Sequence, residues 1–178
     1  MGDQQHLNGG TVHSSGGLIL EPASGSDTVT FEGGSTALSL GNGTLTSGST
    51  TYTLAVSVVS LNATTTAAIT ISANPNLSGN LSVNGGSIVL NASVTTGGTQ
   101  TYTGPVTLGA NVTLTTTDSN ISFTSTVNGA HQLQTYTGGA GAGATGSTGG
   151  SSIVTFAGVV GGTAALSRLN IEAGHVHI

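Results

Sequence analysis

The sequence has no cysteine, no tryptophan and no lysine, and Arg168 is its only arginine. Without cysteine the chain has neither a disulfide framework nor thiolate chemistry. Because Arg168 is its single lysine or arginine, the chain lacks the basic surface that neutralises nucleic-acid phosphates or binds a protein to an anionic membrane. We therefore expect no nucleic-acid partner. We also expect no membrane insertion, because no run of about 18 apolar residues is present.

Charge of either sign is scarce. Charged residues make up 4% of the 178 residues, against about 25% in an average protein. Disorder usually accompanies low hydrophobicity and high net charge, whereas this chain has a mean hydropathy of +0.22 and a net charge of -5. With its many Thr and Val residues, this composition predicts one ordered all-β domain over residues 1–178.

Residues 100–134 carry the clearest pattern. Apolar residues occur there in pairs two positions apart, so both side chains of a pair point to one face of an extended strand. Gly, Asn and Asp separate the pairs, and small hydroxyl residues occupy the opposite face. The pairs of this segment are Val106 with Leu108, Val112 with Leu114, and Ile121 with Phe123. Very short strands between tight Gly/Asn corners predict a β-solenoid.

The same kind of pair recurs through the rest of the chain, and no helical period of 3.6 residues is present. The further pairs are Leu18 with Leu20, Val29 with Phe31, Leu38 with Leu40, Ile69 with Ile71, Leu81 with Val83, and Ile88 with Leu90. Tyr52, Leu54, Val56 and Val58 share one parity, which predicts a longer strand. The segment 138–152, GGAGAGATGSTGGSS, has no core-forming residue and predicts a flexible loop.

Short sequence repeats support stacked structural units. QTYTG occurs at 100–104 and again at 134–138, and VTF followed two residues later by Gly occurs at 29–33 and 154–158. A pattern F-x-x-x-V-x-G-x-x-x-L begins at Phe123 and again at Phe156. Val106 and Val127 lie 21 positions apart, which we interpret as one turn of the solenoid. This spacing predicts roughly eight turns and a rod about 40 Å long.

Two stretches carry a family resemblance. YTGPVTLGANVTLTT at 102–116 and VTFAGVVGGTAALSRLNIEAG at 154–174 resemble the tandem repeats of filamentous-haemagglutinin-like bacterial adhesins, which are two-partner-secreted or of autotransporter type. The likeness covers 88–178 well and 1–87 loosely. It implies a right-handed parallel β-helix, an extracellular or cell-surface location, and an adhesive or fibre-forming role. Met1–His6 has no signal-peptide character, so a secreted chain of this kind is expected to be part of a longer protein.

Candidate catalytic and metal residues are few. Glu21, Asp27 and Glu32 form the densest acidic group, and two of them would make a glycosidase-like pair only if folding placed them about 5–10 Å apart. We interpret them as solvated corner carboxylates. His175 and His177 share one face of a strand and are candidate ligands for a transition metal together with His6 or His13. Because no third ligand is identified, we interpret them as surface histidines and predict no catalytic, cofactor or metal site.

Outward threonines occur in Thr-x-Thr pairs without a fixed spacing, at Thr51 and Thr53, Thr101 and Thr103, and Thr113 and Thr115. Asn-x-Ser/Thr sequences occur at Asn42, Asn62, Asn76, Asn80, Asn91, Asn111 and Asn120. Such a Thr/Asn face is typical both of plain β propensity and of ice- or carbohydrate-binding solenoids.

The sequence thus predicts a non-enzymatic β-solenoid that forms part of a surface fibre or adhesin. Its expected partners are other copies, neighbouring repeats of a longer chain, or a host-surface or glycan receptor. The alternative function is a carbohydrate- or ice-binding module. The absence of a polar cap after Val176–Ile178 predicts end-to-end stacking.

Overall fold

A computed structural model describes residues 18–20, 28–54, 59–75, 77–138 and 151–178. These residues form strands, turns and bends, and they contain no helix. The all-β prediction is confirmed. Among them, no helix is long or apolar enough to cross a membrane.

Most strands have 2 to 5 residues, as the paired apolar residues predict, whereas the strands Ser60–Ile71 and Leu81–Leu90 have 12 and 10 residues. Their bounds are β1 Leu18–Leu20, β2 Thr28–Glu32, β3 Leu38–Gly41, β4 Thr44–Ser47, β5 Thr50–Leu54, β6 Ser60–Ile71, β7 Leu81–Leu90, β8 Val94–Thr96, β9 Gln100–Thr103, β10 Val106–Leu108, β11 Val112–Thr116, β12 Ile121–Phe123, β13 Val127–Asn128, β14 Gln132–Tyr136, β15 Ile153–Phe156, β16 Arg168–Glu172 and β17 His175–His177.

Parallel pairing joins all of these strands except β1, β4 and β5 into three ladders, two of which belong to one 13-stranded sheet and one to a separate 4-stranded sheet. Ladder 1 contains β2, the first halves of β6 and β7, and then β9, β12, β15 and β17. Ladder 2 contains β3, the second halves of β6 and β7, and then β10 and β13. Ladder 3 contains β8, β11, β14 and β16.

The register of the ladders follows a nearly constant offset along the chain. Val106 pairs directly with Val127, 21 positions later, as the sequence spacing predicts. In eight of the thirteen parallel strand pairs the partners lie 18 to 22 positions apart, as Ile88 and Val106 do. Larger offsets occur where a segment is inserted, for example between Phe123 and Phe156. The chain therefore returns to the same ladder about once every 20 residues.

This register aligns the inward side chains into columns that cross the strands. One column of ladder 1 joins Val29, Leu61, Leu81, Gln100, Ile121, Val154 and Val176, and the next joins Phe31, Ala63, Val83, Tyr102, Phe123 and Phe156. The rings of Tyr102, Phe123 and Phe156 stack with centroids 5.1 and 5.0 Å apart. Stacking of this kind adds about 0.5–1.5 kcal/mol per pair beyond the buried area.

The predicted inward residues are buried wherever the structure describes their side chains. Leu40, Ile71, Leu90, Val106, Ile121 and Phe123 are each 0% exposed. Of the predicted longer strand at 52–58, Tyr52 is buried and β5 ends at Leu54, whereas Val56 and Val58 lie outside the described residues. Most of the predicted Gly-rich loop, residues 139–150, also lies outside them.

An all-parallel arrangement is wrong for one segment. Strands β3, β4 and β5 form an antiparallel meander, in which Asn42 and Gly43 occupy the first turn. Gly43 has a positive φ of 62°, and an Asn-Gly pair is the strongest short signal for a tight hairpin. The turn at Gly41–Gly43, read as a solenoid corner, therefore reverses the chain within one sheet.

The corner expected at Asn84–Gly86 also differs. There β7 runs continuously from Leu81 to Leu90, but its first half pairs with β9 and its second half with β10. A Cβ at Gly86 would overlap the carbonyl of Thr66 on the neighbouring strand. Glycine at this position thus permits a backbone approach that any side chain would block.

Candidate functional site

A polar cluster lies inside the apolar core, where sequence reasoning placed only hydrophobic residues. Gln100 occupies an inward position of ladder 1 and is 0% exposed. Its Nε2 donates to the carbonyl oxygen of Thr115 (2.9 Å), to Thr96 Oγ1 (3.2 Å) and to the carbonyl oxygen of Val94 (3.3 Å). The Tyr102 hydroxyl donates to Gln100 Oε1 at 2.8 Å. The cluster joins ladder 1 to β8 and β11 of ladder 3.

Because the amide uses both ends, this buried glutamine is well satisfied. Burial raises the pKa of the Tyr102 phenol well above its ordinary value. The phenol therefore stays a hydrogen-bond donor at neutral pH rather than becoming a nucleophile or base. The cluster has the properties of a structural connection between ladder 1 and ladder 3. The sequence offers one signal for this cluster, because Gln100 lies two positions before Tyr102, where a pair of inward residues would place an apolar side chain. The structure pairs Gln100 in register with Leu81 and Ile121.

At the corners, asparagine side chains form hydrogen bonds to the backbone of the next turn of the chain. Asn80 Oδ1 accepts from the backbone N–H of Thr99 at 2.8 Å, and Asn111 Oδ1 accepts from that of Gln132 at 2.9 Å. Asn120 Oδ1 accepts from the N–H of Ile153 at 2.7 Å. Each bond satisfies a backbone donor that a ladder leaves open at a corner. The abundance of Asn-x-Ser/Thr sequences thus has a structural cause at these three positions.

The predicted acidic and histidine candidates are only partly described. Glu21, Asp27, His6 and His13 lie outside the described residues, so neither the acidic group of Glu21, Asp27 and Glu32 nor a grouping of His175 and His177 with His6 or His13 is placed. Within the described residues, no three His, Cys, Asp or Glu side chains come together as a metal site would require. His175 and His177 are exposed on β17, two positions apart and on the outward side of the strand.

The outward face of ladder 1 presents polar side chains in register. One outward column joins Thr30, Asn62, Ser82, Thr101, Ser122, Thr155 and His177, and a neighbouring column joins Glu32, Thr64, Asn84 and Thr103. Asn62 Nδ2 lies 3.5 Å from Thr30 Oγ1 along the first column. Of the three predicted Thr-x-Thr pairs, only Thr101 and Thr103 belong to this face, because Thr51 and Thr53 lie on β5 and Thr113 and Thr115 lie on ladder 3. The side chains of this face carry mostly hydroxyl and amide groups and almost no charge.

The ends of the ladders differ in how well they are covered. At the β17 and β16 end, Val176, Leu169 and Ile178 are 41%, 38% and 91% exposed. At the β3 end, the antiparallel strands β4 and β5 bury Leu45 and Tyr52, and the Tyr52 ring meets Phe31 edge-on at 5.2 Å.

Comparison with family models, with curated proteins and with solved structures finds no match to this chain. The resemblance to filamentous-haemagglutinin-like repeats therefore stays a prediction from the sequence. Functional inference rests on the geometry described above.

Proposed function

We propose that the chain is a right-handed parallel β-helix and that it serves as a non-catalytic, structural or adhesive segment of a secreted bacterial surface fibre. The observation that supports this most directly is the repeating parallel register, which returns each strand to the same ladder after about 20 residues. A chain built this way lengthens along one axis, because each turn contacts only its neighbours. Rods of this kind suit a role as a spacer or as an extended contact surface.

The composition supports the same proposal. An exported fibre benefits from a fold without disulfides or cofactors, and this chain has no cysteine. Catalysis usually depends on titratable groups with perturbed environments in a cleft. Among the described residues the one resolved pKa shift belongs to Tyr102, whose hydroxyl is committed to Gln100. The location that follows from this proposal is extracellular or on the bacterial surface.

The proposed function is tested by displaying the chain on a non-adherent laboratory bacterium, as the passenger of an outer-membrane exporter. We expect export, protease resistance at the surface, and increased attachment to cultured cells or to other displaying bacteria. The matched control is Leu108→Asp, which puts a charge into the core and should be exported unfolded and digested. A folded, surface-exposed passenger that gives no attachment and no added reach from the membrane would contradict the proposal.

A second candidate function is favoured by the outward polar columns of ladder 1. Parallel strands repeat at about 4.8 Å, and outward residues on one strand repeat at about 6.6–7 Å. Hydroxyl and amide groups therefore form a two-dimensional array that could match a carbohydrate or an ice surface. Thr101→Tyr would interrupt this array, whereas Thr113→Tyr alters the outward face of ladder 3 and is the matched control. A glycan array and an ice-recrystallisation assay should respond to the first substitution only.

A further inference from the structure

Four Asn-Gly sequences occur in the chain, and the structure describes three of them. These three begin at Asn42, Asn84 and Asn128, whereas Asn8 lies outside the described residues. Asparagine is one of the chemically labile residues. It is most labile before glycine, because no side chain then keeps the following main-chain nitrogen away from the carbon of the asparagine amide. Attack by that nitrogen closes a five-membered imide ring, so the fold around each pair decides whether the ring can form.

The pair Asn128–Gly129 is restrained at both reacting groups. Asn128 Oδ1 accepts from the backbone N–H of Thr163 at 3.0 Å and from that of Ala164 at 3.4 Å. The Gly129 N–H donates to the carbonyl oxygen of Ala164 at 3.0 Å. The amide that would be attacked and the nitrogen that would attack it are therefore both engaged, and ring closure first has to break these hydrogen bonds.

The pair Asn84–Gly85 is restrained by strand pairing. Asn84 is exposed, but it belongs to the continuous strand β7 and pairs in register with Thr64 on one side and with Thr103 on the other. Gly85 is buried and pairs with Thr65. Ring closure requires the main chain at Asn84 to rotate out of its extended conformation, and two neighbouring strands oppose that rotation.

The pair Asn42–Gly43 has neither restraint. Both residues form the two-residue turn between β3 and β4, between the paired residues Gly41 and Thr44. Asn42 is exposed, and within the part of the chain that the structure describes neither its side chain nor the Gly43 N–H has a hydrogen-bond partner in the protein. Gly43 has a φ of 62°, and a Cβ there would meet no atom within 4 Å beyond its chain neighbours. The turn can therefore rotate toward the ring geometry without displacing a neighbouring strand.

We propose that Asn42 is a site of spontaneous modification, at which the folded chain converts its amide into aspartate or isoaspartate. The Gly43 nitrogen bonds to Asn42 Cγ, the Cγ–Nδ2 bond breaks, and ammonia leaves with the proton of the Gly43 N–H. Water from the solvent then opens the imide at either carbonyl. Opening at Cγ gives aspartate. Opening at the main-chain carbonyl gives isoaspartate, in which the chain continues through Cγ and the α-carboxylate is free.

The isoaspartate product changes the hairpin as well as its charge. It adds one carbon atom to the main chain of a turn that has only two residues. Next to this turn Leu40 pairs with Leu45, and both side chains are 0% exposed. The longer turn should loosen β4 from β3 and expose this pair. The inference does not require the surface-fibre function, since it concerns the chemistry of the hairpin alone.

The test follows the three amides in the purified chain during incubation at mildly alkaline pH, with peptide mapping by high-resolution mass spectrometry. In the folded chain, conversion at Asn42 should be at least about tenfold faster than at Asn84 or Asn128, because those two react only after local opening. In denaturant the three rates should become alike, since glycine follows each asparagine in an unrestrained chain. Labelling by an isoaspartyl methyltransferase distinguishes isoaspartate from aspartate.

Two variants serve as controls. Asn42→Gln would have to close a larger ring, so its hairpin peptide should stay unlabelled by the methyltransferase. Asn42→Asp carries the charge of the product without the added carbon atom. It should therefore resist thermolysin between β3 and β5, whereas the chain aged at mildly alkaline pH should be cut there.

Three results would overturn the proposal. The first is an intact Asn42 amide in the folded chain after the denatured chain has reacted. The second is conversion of Asn84 or Asn128 in the folded chain as fast as that of Asn42. The third is an aged chain that contains isoaspartate at position 42 and yet resists thermolysin as well as Asn42→Asp does, which would show that the hairpin accommodates the longer turn.

Discussion

Substitution of Gln100 tests whether the buried polar cluster stabilises the fold. Gln100→Leu would match the apolar neighbours Leu81 and Ile121 in shape and character, so area burial alone predicts a neutral or stabilising change. The structure predicts the opposite. The Tyr102 hydroxyl would lose the acceptor 2.8 Å away, and a buried donor without a partner costs about 1–3 kcal/mol. Thr96 Oγ1 would also lose the N–H that Gln100 donates to it, so we expect the free energy of unfolding to fall by about 2–3 kcal/mol.

A double-mutant cycle isolates the interaction between the two side chains. Tyr102→Phe alone should cost about 1–2 kcal/mol, because Gln100 Oε1 then loses its donor. In the double variant Gln100→Leu with Tyr102→Phe, neither orphan remains, and the total loss should be smaller than the sum by about 1–2 kcal/mol. The measurement is guanidinium unfolding followed by circular dichroism at neutral pH.

The matched control is Leu61→Gln, which puts the same amide into the same column between Val29 and Leu81. No tyrosine hydroxyl in register serves that position, because the adjoining column there holds Phe31, Ala63 and Val83. We expect a loss above about 3 kcal/mol, as for an unpaired buried polar group. Additive effects in the cycle, within about 0.5 kcal/mol, would refute the network, and so would a Leu61→Gln chain as stable as the original.

Three further predictions follow from the core, the corners and the buried phenol. Leu108→Asp should abolish cooperative thermal unfolding, whereas Thr107→Asp, on the exposed side of the same strand, should shift the midpoint by a few degrees; equal losses would contradict the register. Gly104→Ala combines a φ of 127° with overlap of the Gly85 carbonyl, so it should destabilise the chain in denaturant titrations more than Gly34→Ala, which has a positive φ but open space; equal effects would show that the corner relaxes freely. Because burial raises the pKa of Tyr102, the unfolded chain loses the phenol proton above pH of about 10, whereas the folded chain keeps it. The free energy of unfolding should therefore fall by up to about 1.4 kcal/mol per pH unit above that pH. Tyr102→Phe should reduce this dependence on pH, and an unchanged dependence would contradict the raised pKa of Tyr102.

Much of the fold could be predicted from the sequence because one physical rule dominates it. Two-residue periodicity with turn residues between the pairs identifies which side chains face inward, as the full burial of Ile121 and Phe123 confirms. The 21-residue spacing of Val106 and Val127 identifies the register, because parallel strands stack like residues. The repeat that begins at Phe123 and Phe156 is confirmed as a direct pair for the same reason.

The antiparallel meander escaped prediction because corners and hairpins use the same residues. Gly41–Gly43 has the same Gly/Asn composition as the corner at Gly109–Asn111, and the reversal depends on pairing between β3 and β4 rather than on the turn alone. The buried cluster escaped because it is a contact between ladders. Gln100 meets Thr96 and Thr115 only after the chain has turned, and no local pattern encodes that meeting.

The QTYTG repeat shows the limit of local strings most clearly. In the first copy, Gln100 and Tyr102 point inward and are buried on ladder 1. In the second copy, Thr135 and Thr137 are the buried residues, and Gln134 points outward from ladder 3. A shift of one residue in register exchanges the two faces of a strand, so identical letters acquire opposite roles.

Because the faces are exchanged, a threonine hydroxyl occupies a buried position of ladder 3 whose neighbours in register have hydrocarbon side chains. Thr135 lies between Leu114 and Ile171 in ladder 3, is 0% exposed, and its Oγ1 finds no hydrogen-bond partner among the described residues. Thr135→Val keeps the shape and removes the unpaired hydroxyl, so we expect the chain to gain about 1–2 kcal/mol in denaturant unfolding. The control is Thr96→Val, equally buried, whose Oγ1 donates to the Gly98 carbonyl at 2.7 Å and accepts from Gln100; it should lose stability. If both valine variants lost stability alike, Thr135 would have a partner in the folded chain, and its place in the column would be a specific contact rather than a consequence of the repeated string.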